Sequence, residues 1–182
     1  TPKVQAVLKN ALATETPAVI KGLVVSLAKN KVDLPELNAT LTKLAASDPT
    51  FKAVLVDLAA ERKDLTPEQT TMLRDVASSA KESVAVRAKA LRTLQKNAGK
   101  PAVLDAALAS AAAIASDPSA GSELTDAFSD FTRDGRFAQQ IRQLTSLSQG
   151  AAGAKKDIAS LILLNLSDNR LLQKDRRVAA LA

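Results

Sequence analysis

The stretch TPEQTTMLRDVASSAKESVAVRAKALRTLQKN, residues 66–97, contains two short helical patterns joined by a polar turn. Apolar residues recur three and four positions apart, which is the spacing of a helix with one apolar face. Thr66 precedes Pro67, and Gln69 follows Thr66 by three residues, so this start has the form of a capping box with proline in the first turn. We therefore predict a hairpin of two helices at 67–80 and 84–97.

The same arrangement extends in both directions along the chain. Proline again follows a Thr or Asp of the capping type at Pro2, Pro17, Pro49 and Pro118. The first helices of the predicted pairs begin 32 to 35 residues apart, so the chain is repetitive. The predicted pairs are 2–13 with 17–30, 34–46 with 49–63, 67–80 with 84–97, 101–116 with 119–133, and 135–149 with 152–167, followed by a last helix at 170–181.

A period of this length with two helices per unit predicts an all-α fold, specifically a right-handed α-α superhelix, or α-solenoid. One hairpin is too small to bury its own apolar face, and stacking against its neighbours completes the core. The segment 101–116 is apolar nearly all round, which predicts burial between neighbours. We expect a single domain over 1–182. The alternative is a compact helical bundle, whose radius of gyration would be about 16 Å.

The third repeat resembles a HEAT repeat of the armadillo type. The segment from Glu82 to Leu94, ESVAVRAKALRTL, is similar to the second helix of that repeat, and Asp48-Pro49 and Asp117-Pro118 resemble its internal turn. In HEAT-like proteins the turn aspartate and the helix arginine commonly tie neighbouring hairpins together. The resemblance therefore implies structural, inter-repeat roles for Arg87, Asp48 and Asp117.

A second resemblance concerns the whole helical array. Alanine-rich segments that end in an Arg/Lys-rich helix look like the helical spacers of secreted bacterial sorbosone-dehydrogenase-like proteins, which join a β-propeller to a c-type haem domain. This resemblance implies a bacterial secreted or periplasmic location and a spacer role within a larger oxidoreductase. It also leads us to expect that the chain is part of a longer protein. No catalytic or haem motif is present to carry over.

The composition excludes several kinds of chemistry in this stretch of chain. There is no His, Cys, Trp or Tyr, so Ser-His-Asp and Cys-His nucleophiles, His or Cys metal ligation and disulfides are all ruled out. We predict no catalytic, cofactor-binding or metal-binding residues. The enzymatic alternative is a hydrolase that uses carboxylates alone, for which Asp126 and Asp130 would be the candidates.

The net charge of +6, from 25 cations and 19 anions, directs attention to one basic surface. Lys89, Arg92, Lys96 and Lys100 fall on one side of an ideal helix, and Lys81 precedes them; Arg87 falls on the opposite side with the apolar residues. A HEAT-like solenoid with such a face could bind duplex DNA through phosphate contacts, which is one alternative function. The other interpretation is a solvated helix face, and the absence of Trp and Tyr argues against binding of single strands.

Taken together, these patterns predict a non-catalytic scaffold or spacer. We expect it to bind a protein partner or to position adjoining domains. No apolar run approaches the roughly 20 residues that a membrane-spanning helix needs, so we predict no membrane span. Nothing in the pattern predicts an oligomeric state.

Overall fold

The computed structural model describes residues 6–7, 10–11, 14, 16–29, 49–150 and 153–168. Within these ranges the regular structure is entirely helical, and no strand occurs. The all-α prediction is therefore confirmed for the described part of the chain. The predicted helices at 34–46 and 170–181 lie outside the described residues, as do most of the helix at 2–13 and the turn residue Asp48.

The described helices follow the predicted order. They are α1 Pro17–Lys29, α2 Pro49–Ala60, α3 Pro67–Ser78, α4 Val84–Lys96, α5 Pro101–Ala115, α6 Ser122–Thr132, a 3₁₀ helix Gly135–Gln140, α7 Ile141–Ser148 and α8 Ala154–Asp168.

The capping box at the start of α3 is confirmed. The backbone N–H of Thr66 donates to Gln69 Oε1 at 3.0 Å, and the N–H of Gln69 donates to Thr66 Oγ1 at 3.3 Å. These reciprocal bonds satisfy donors that have no partner within the helix. At the start of α4, Ser83 Oγ accepts a hydrogen bond from the N–H of Val86 at 3.4 Å, so local capping also determines where this helix begins.

The chain divides into two compact units, Thr1–Met72 and Leu73–Ala182, and the division falls within α3. In the first unit, α1 packs against α2. Ile20 of α1 and Phe51, Val56 and Ala59 of α2 are buried. This unit therefore has an apolar core of its own.

Helix α5 is the centre of the second unit. It packs against α4, α6 and α8. The prediction that this helix is buried between neighbours is confirmed, because most of its side chains are buried: Val103, Leu104, Ala106, Ala107, Leu108, Ser110, Ala111, Ala112 and Ile114. Small alanine side chains allow helices to approach closely on several sides.

Helices α4 and α6 pack side by side in a parallel orientation. At their starts, Gly121 lies next to Val84, where an added Cβ would be 3.9 Å from a Val84 methyl carbon. At their ends, Gln95 Nε2 donates to the Asp134 carboxylate at 2.7 Å and approaches the Asp130 carbonyl oxygen at 3.4 Å. These partners are 39 and 35 residues apart in the sequence, close to the predicted repeat length.

Helix α2 ends at Ala60, before the predicted end at 63. Two further helices differ from the prediction at their starts. A helix was expected over 119–133, but α6 begins at Ser122, with Gly121 as its N-cap. Asp117 therefore does not cap this helix. Its carboxylate closes the preceding turn instead, by accepting a hydrogen bond from the N–H of Ser119 at 2.9 Å.

The second difference is at 135–149, where a single α-helix was expected. The chain forms the 3₁₀ helix first and then the short α7. Asp134 caps the 3₁₀ helix by accepting a hydrogen bond from the N–H of Arg136. Phe137 then packs edge-to-face on Phe131, with ring centroids 5.1 Å apart and an interplanar angle of 71°. The cap and the ring contact together hold this segment in the tighter helix.

The pairing of helices in the second unit also differs from that of a regular stack. In a regular stack the first helices of successive hairpins would pack together, which would pair α5 with α7. Here α5 packs extensively against α8, and α7 reaches it through the Gln143 side chain, which donates to the Pro101 carbonyl oxygen at 3.4 Å. Asn165 of α8 also donates to the Thr132 carbonyl oxygen at 3.1 Å. The superhelical stack stays a prediction.

We expect Phe137→Ala to lower the free energy of unfolding by about 3–5 kcal/mol, because it removes a buried ring from its contact with Phe131. Phe128→Ala is the matched control, since Phe128 is only half-buried on α6 and should cost clearly less. Urea unfolding followed by circular dichroism measures both changes. Equal losses in the two variants would contradict the packing described for the 3₁₀ helix.

Candidate functional site

The residues of the predicted basic surface are all exposed, but they do not form one helical stripe. Lys89, Arg92 and Lys96 lie exposed along α4. Lys81 is exposed in the turn before α4, where its N–H donates to Ser79 Oγ at 3.3 Å. Lys100 is exposed but does not belong to α4; it is the N-cap residue of α5.

The prediction that Lys100 continues the helical stripe is wrong, because α4 ends at Lys96. Asn97 is the C-cap residue, and its side-chain amide donates to the Thr93 carbonyl oxygen at 2.9 Å. The chain then turns before α5 begins at Pro101. Lys100 therefore takes its position from α5 and not from the period of α4.

Carboxylates on α6 border the middle of this basic surface. Arg92 Nη2 lies 4.0 Å from Asp130 Oδ2, and both side chains are substantially exposed. Asp126 is exposed one turn earlier on α6. Because α4 and α6 are parallel neighbours, the cations of α4 and the anions of α6 form a mixed-sign surface at this level.

Asp134 joins the end of α4 to the 3₁₀ helix. Its carboxylate accepts hydrogen bonds from the Arg136 guanidinium, the closest at 2.6 Å, from the Arg136 N–H at 2.9 Å and from Gln95 at 2.7 Å. Burial of the carboxyl raises its pKa, but the hydrogen bonds from Arg136 and Gln95 outweigh burial and lower it overall. Asp134 is therefore held as an ionised anchor.

The predicted structural residues Arg87 and Asp117 are in contact. Arg87 Nη1 lies 2.6 Å from Asp117 Oδ2, and the two side chains are 3% and 10% exposed. Arg87 Nε also donates to the Ala77 carbonyl oxygen at 3.2 Å, near the end of α3. One buried guanidinium thus connects α3, α4 and the turn between α5 and α6.

The two oxygens of the Asp117 carboxylate have different partners. Oδ1 accepts hydrogen bonds from the Ser119 hydroxyl at 2.6 Å and the Ser119 N–H at 2.9 Å. Oδ2 faces Arg87 as an ion pair, without an aligned hydrogen-bond donor. The bonds from the hydroxyl and the N–H of Ser119, followed by the interaction with Arg87, lower the pKa of Asp117 from 3.8 to about 2.

Two polar residues that complete these contacts, Ser119 and Gln95, were not predicted to have structural roles. Ser119 was assigned to a helix, although Asp-Pro-Ser followed by Ala120-Gly121 is also typical of a turn in which aspartate accepts the N–H two residues later. No sequence pattern predicted the contact of Gln95 with Asp134, because a glutamine on a helix is compatible with any polar surroundings. The third predicted structural residue, Asp48, lies outside the described residues.

The described residues contain no group of three or more Asp or Glu side chains arranged to hold a metal ion. None of their helices has both the length and the apolar character required to cross a membrane.

Comparison with known proteins adds no relative: no family model, no curated protein and no solved structure matches this chain.

We expect Arg87→Met to lower the free energy of unfolding by about 3 kcal/mol, because it leaves a carboxylate without its counter-charge. Arg74→Met is the matched control, because Arg74 pairs with Asp75 on the surface and such pairs contribute about 1 kcal/mol or less. Adding Asp117→Asn to Arg87→Met should recover part of the loss. Additive effects of the two substitutions, measured by denaturant unfolding, would contradict direct coupling.

The lowered pKa of Asp117 predicts how its contribution to stability depends on pH. A carboxyl whose pKa is lower in the folded state stabilises the fold above its unfolded pKa of about 3.8, and loses that contribution as the pH falls through about 2. The Tm of Asp117→Asn should therefore lie below that of the wild type at neutral pH, by a constant interval down to about pH 5. The two Tm values should converge between pH 4 and 2. If the difference between the two Tm values stayed constant down to pH 2, the lowered pKa of Asp117 would be refuted.

Proposed function

We propose that this chain is a non-catalytic helical-repeat scaffold or spacer, which binds a protein partner or positions adjoining domains. The observation that carries the proposal is the buried Arg87–Asp117 pair, because these two charged side chains contact each other and so join α4 to the turn between α5 and α6. The main demand on a spacer is that its helices keep their relative positions under load.

Other polar contacts support the same function. Gln95 joins the ends of α4 and α6, and Asn165 joins α8 to the end of α6. Each contact links side chains and backbone from different helices, so each opposes sliding of one helix along another. In a scaffold of this kind, apolar burial makes the structure stiff, and these polar bonds fix the position of each helix along its neighbour.

The lowered pKa values of Asp117 and Asp134 support a structural role for these two carboxyls. A general acid or base works best with a pKa near the operating pH. Asp117 and Asp134 instead have lowered pKa values, because both carboxylates accept several hydrogen bonds. They stay ionised at neutral pH and act as fixed acceptors.

The alternative of a nucleic-acid-binding solenoid has weaker support. Its candidate residue Arg92 lies 4.0 Å from Asp130, whose charge opposes attraction of phosphates. The alternative of a larger secreted oxidoreductase is compatible with the proposal, because the chain would then be the spacer between that enzyme's domains. It rests on the resemblance to sorbosone-dehydrogenase-like proteins.

A distance measurement tests the stiffness that the proposal requires. The chain has no cysteine, so spin labels attach only at introduced ones. We expect labels at Ala85→Cys on α4 and Ser160→Cys on α8, both exposed positions, to give one narrow distance distribution. The reason is that α4 and α8 both pack on α5.

The control pair lies on a single helix. Ala102→Cys and Ala115→Cys are exposed near opposite ends of α5, about 20 Å apart, and report the width that the labels alone produce. A distribution between α4 and α8 that is much broader than this control, or has several maxima, would overturn the scaffold proposal.

A further inference from the structure

One exposed serine is in direct contact with the buried ion pair of the second unit. Ser119 lies in the turn between α5 and α6, outside either helix, and it is exposed. Its hydroxyl donates to Asp117 Oδ1 at 2.6 Å, and its N–H donates to the same oxygen at 2.9 Å. The other oxygen of that carboxylate lies 2.6 Å from Arg87 Nη1. A surface hydroxyl therefore reaches, through one carboxylate, a guanidinium that is almost completely buried.

Other exposed serines have different surroundings. Ser122 and Ser160 lie within helices α6 and α8. Ser83 precedes α4, where its hydroxyl oxygen accepts a hydrogen bond from the N–H of Val86. A group added to one of these serines would act on its own helix. A group added to Ser119 would act on a contact that joins different helices.

A phosphate group on Ser119 would disturb the ion pair in two ways. The hydroxyl proton that Asp117 accepts would be lost, because the oxygen becomes an ester oxygen. The phosphate carries a charge of about −1.5 to −2 at pH 7, and a carboxylate beside it is repelled. Arg87 is held from the other side, because its Nε donates to the Ala77 carbonyl oxygen at 3.2 Å. The added charge would therefore separate the carboxylate from the guanidinium.

We propose that Ser119 is a phosphorylation site, and that its modification loosens the scaffold by withdrawing Asp117 from Arg87. The inference rests on the proposed function, because it names a means of regulating the stiffness of that scaffold. With Asp117 withdrawn, the turn between α5 and α6 is no longer tied to α4 by charge. A buried charge that loses its partner also destabilises the fold.

The modification requires a protein kinase and a nucleoside triphosphate. The Ser119 oxygen attacks the γ-phosphorus, and a new oxygen–phosphorus bond forms there. The bond between that phosphorus and the oxygen that bridges it to the β-phosphate breaks, so the nucleoside diphosphate leaves. The hydroxyl proton passes to a basic group of the kinase.

Genetically encoded phosphoserine in the full chain tests the coupling to the ion pair. We expect phosphoserine at Ser119 to lower the Tm by about 5 °C or more. The matched control is phosphoserine at Ser122, the first residue of α6, because the N-terminus of a helix favours a phosphate. The control should leave the Tm unchanged or raise it. Equal losses at the two positions would overturn the proposal, because they would indicate a general effect of added charge.

The variant Asp117→Asn tests whether the effect passes through the carboxylate. Without the repelled charge, phosphoserine at Ser119 should lower the Tm by less than half of its effect in the otherwise unchanged chain. An undiminished effect in Asp117→Asn would contradict the proposed route.

Spin-label distances test whether the modification loosens the scaffold. Labels at Ala85→Cys on α4 and Ala115→Cys at the end of α5 occupy exposed positions. Phosphoserine at Ser119 should broaden their distance distribution, and phosphoserine at Ser122 should not. A distribution that stays narrow with phosphoserine at Ser119 would overturn the loosening. The scaffold proposal is judged separately, from the α4–α8 distances of the unmodified chain.

Mass spectrometry of the chain isolated from its native cells tests whether the modification occurs. Tandem spectra, recorded after isolation with phosphatase inhibitors, locate any phosphate along the sequence. Phosphate on Ser119 is the expected result. Its absence from Ser119 in both growing and resting cells would overturn the modification site. That outcome leaves the scaffold proposal intact if the unmodified chain gives narrow α4–α8 distances, so the two failures are distinguishable.

Discussion

A guanidinium group removed from water needs an opposite charge and further hydrogen-bond acceptors, and the second unit is organised around this requirement at Arg87. The side chain is almost completely buried, and it finds a carbonyl oxygen at the end of α3 and a carboxylate in the turn after α5. Moving either of these elements would leave a buried charge unmatched. Apolar packing around α5 buries most of the contact surface between the helices. Such packing would allow several relative positions of the helices, and the Arg87–Asp117 ion pair favours one of them.

Much of the local structure could be predicted because it depends on neighbours in the sequence. The capping box of Thr66 and Gln69 and the starts at Pro17, Pro49, Pro67 and Pro101 depend on residues within one turn. The alanine-rich α5 was predicted to be buried because its composition leaves no polar face. The contact of Arg87 with Asp117 joins two residues that the resemblance to HEAT repeats had assigned to inter-repeat positions.

What the sequence did not predict depends on partners that are distant along the chain. The start of α6 depends on whether Asp117 caps a helix or closes a turn, and Arg87 draws its carboxylate into the turn. The 3₁₀ helix depends on Phe131, against which Phe137 packs. The position of Lys100 also depends on more than one helix: a stripe calculated for one ideal helix includes Lys100, but this residue takes its place from the next helix, α5.

The spacing of the polar contacts between helices has a consequence for how the protein folds during its synthesis. Gln95 bonds a partner 39 residues away, and Asn165 bonds one 33 residues away, so these contacts close loops of about the predicted repeat length. Loops of this size cost little entropy beyond that of shorter ones. As the chain leaves the ribosome, α4 can therefore acquire its partners once α6 has emerged. The helices that follow α6 are not needed for that step, and assembly can proceed in the direction of translation.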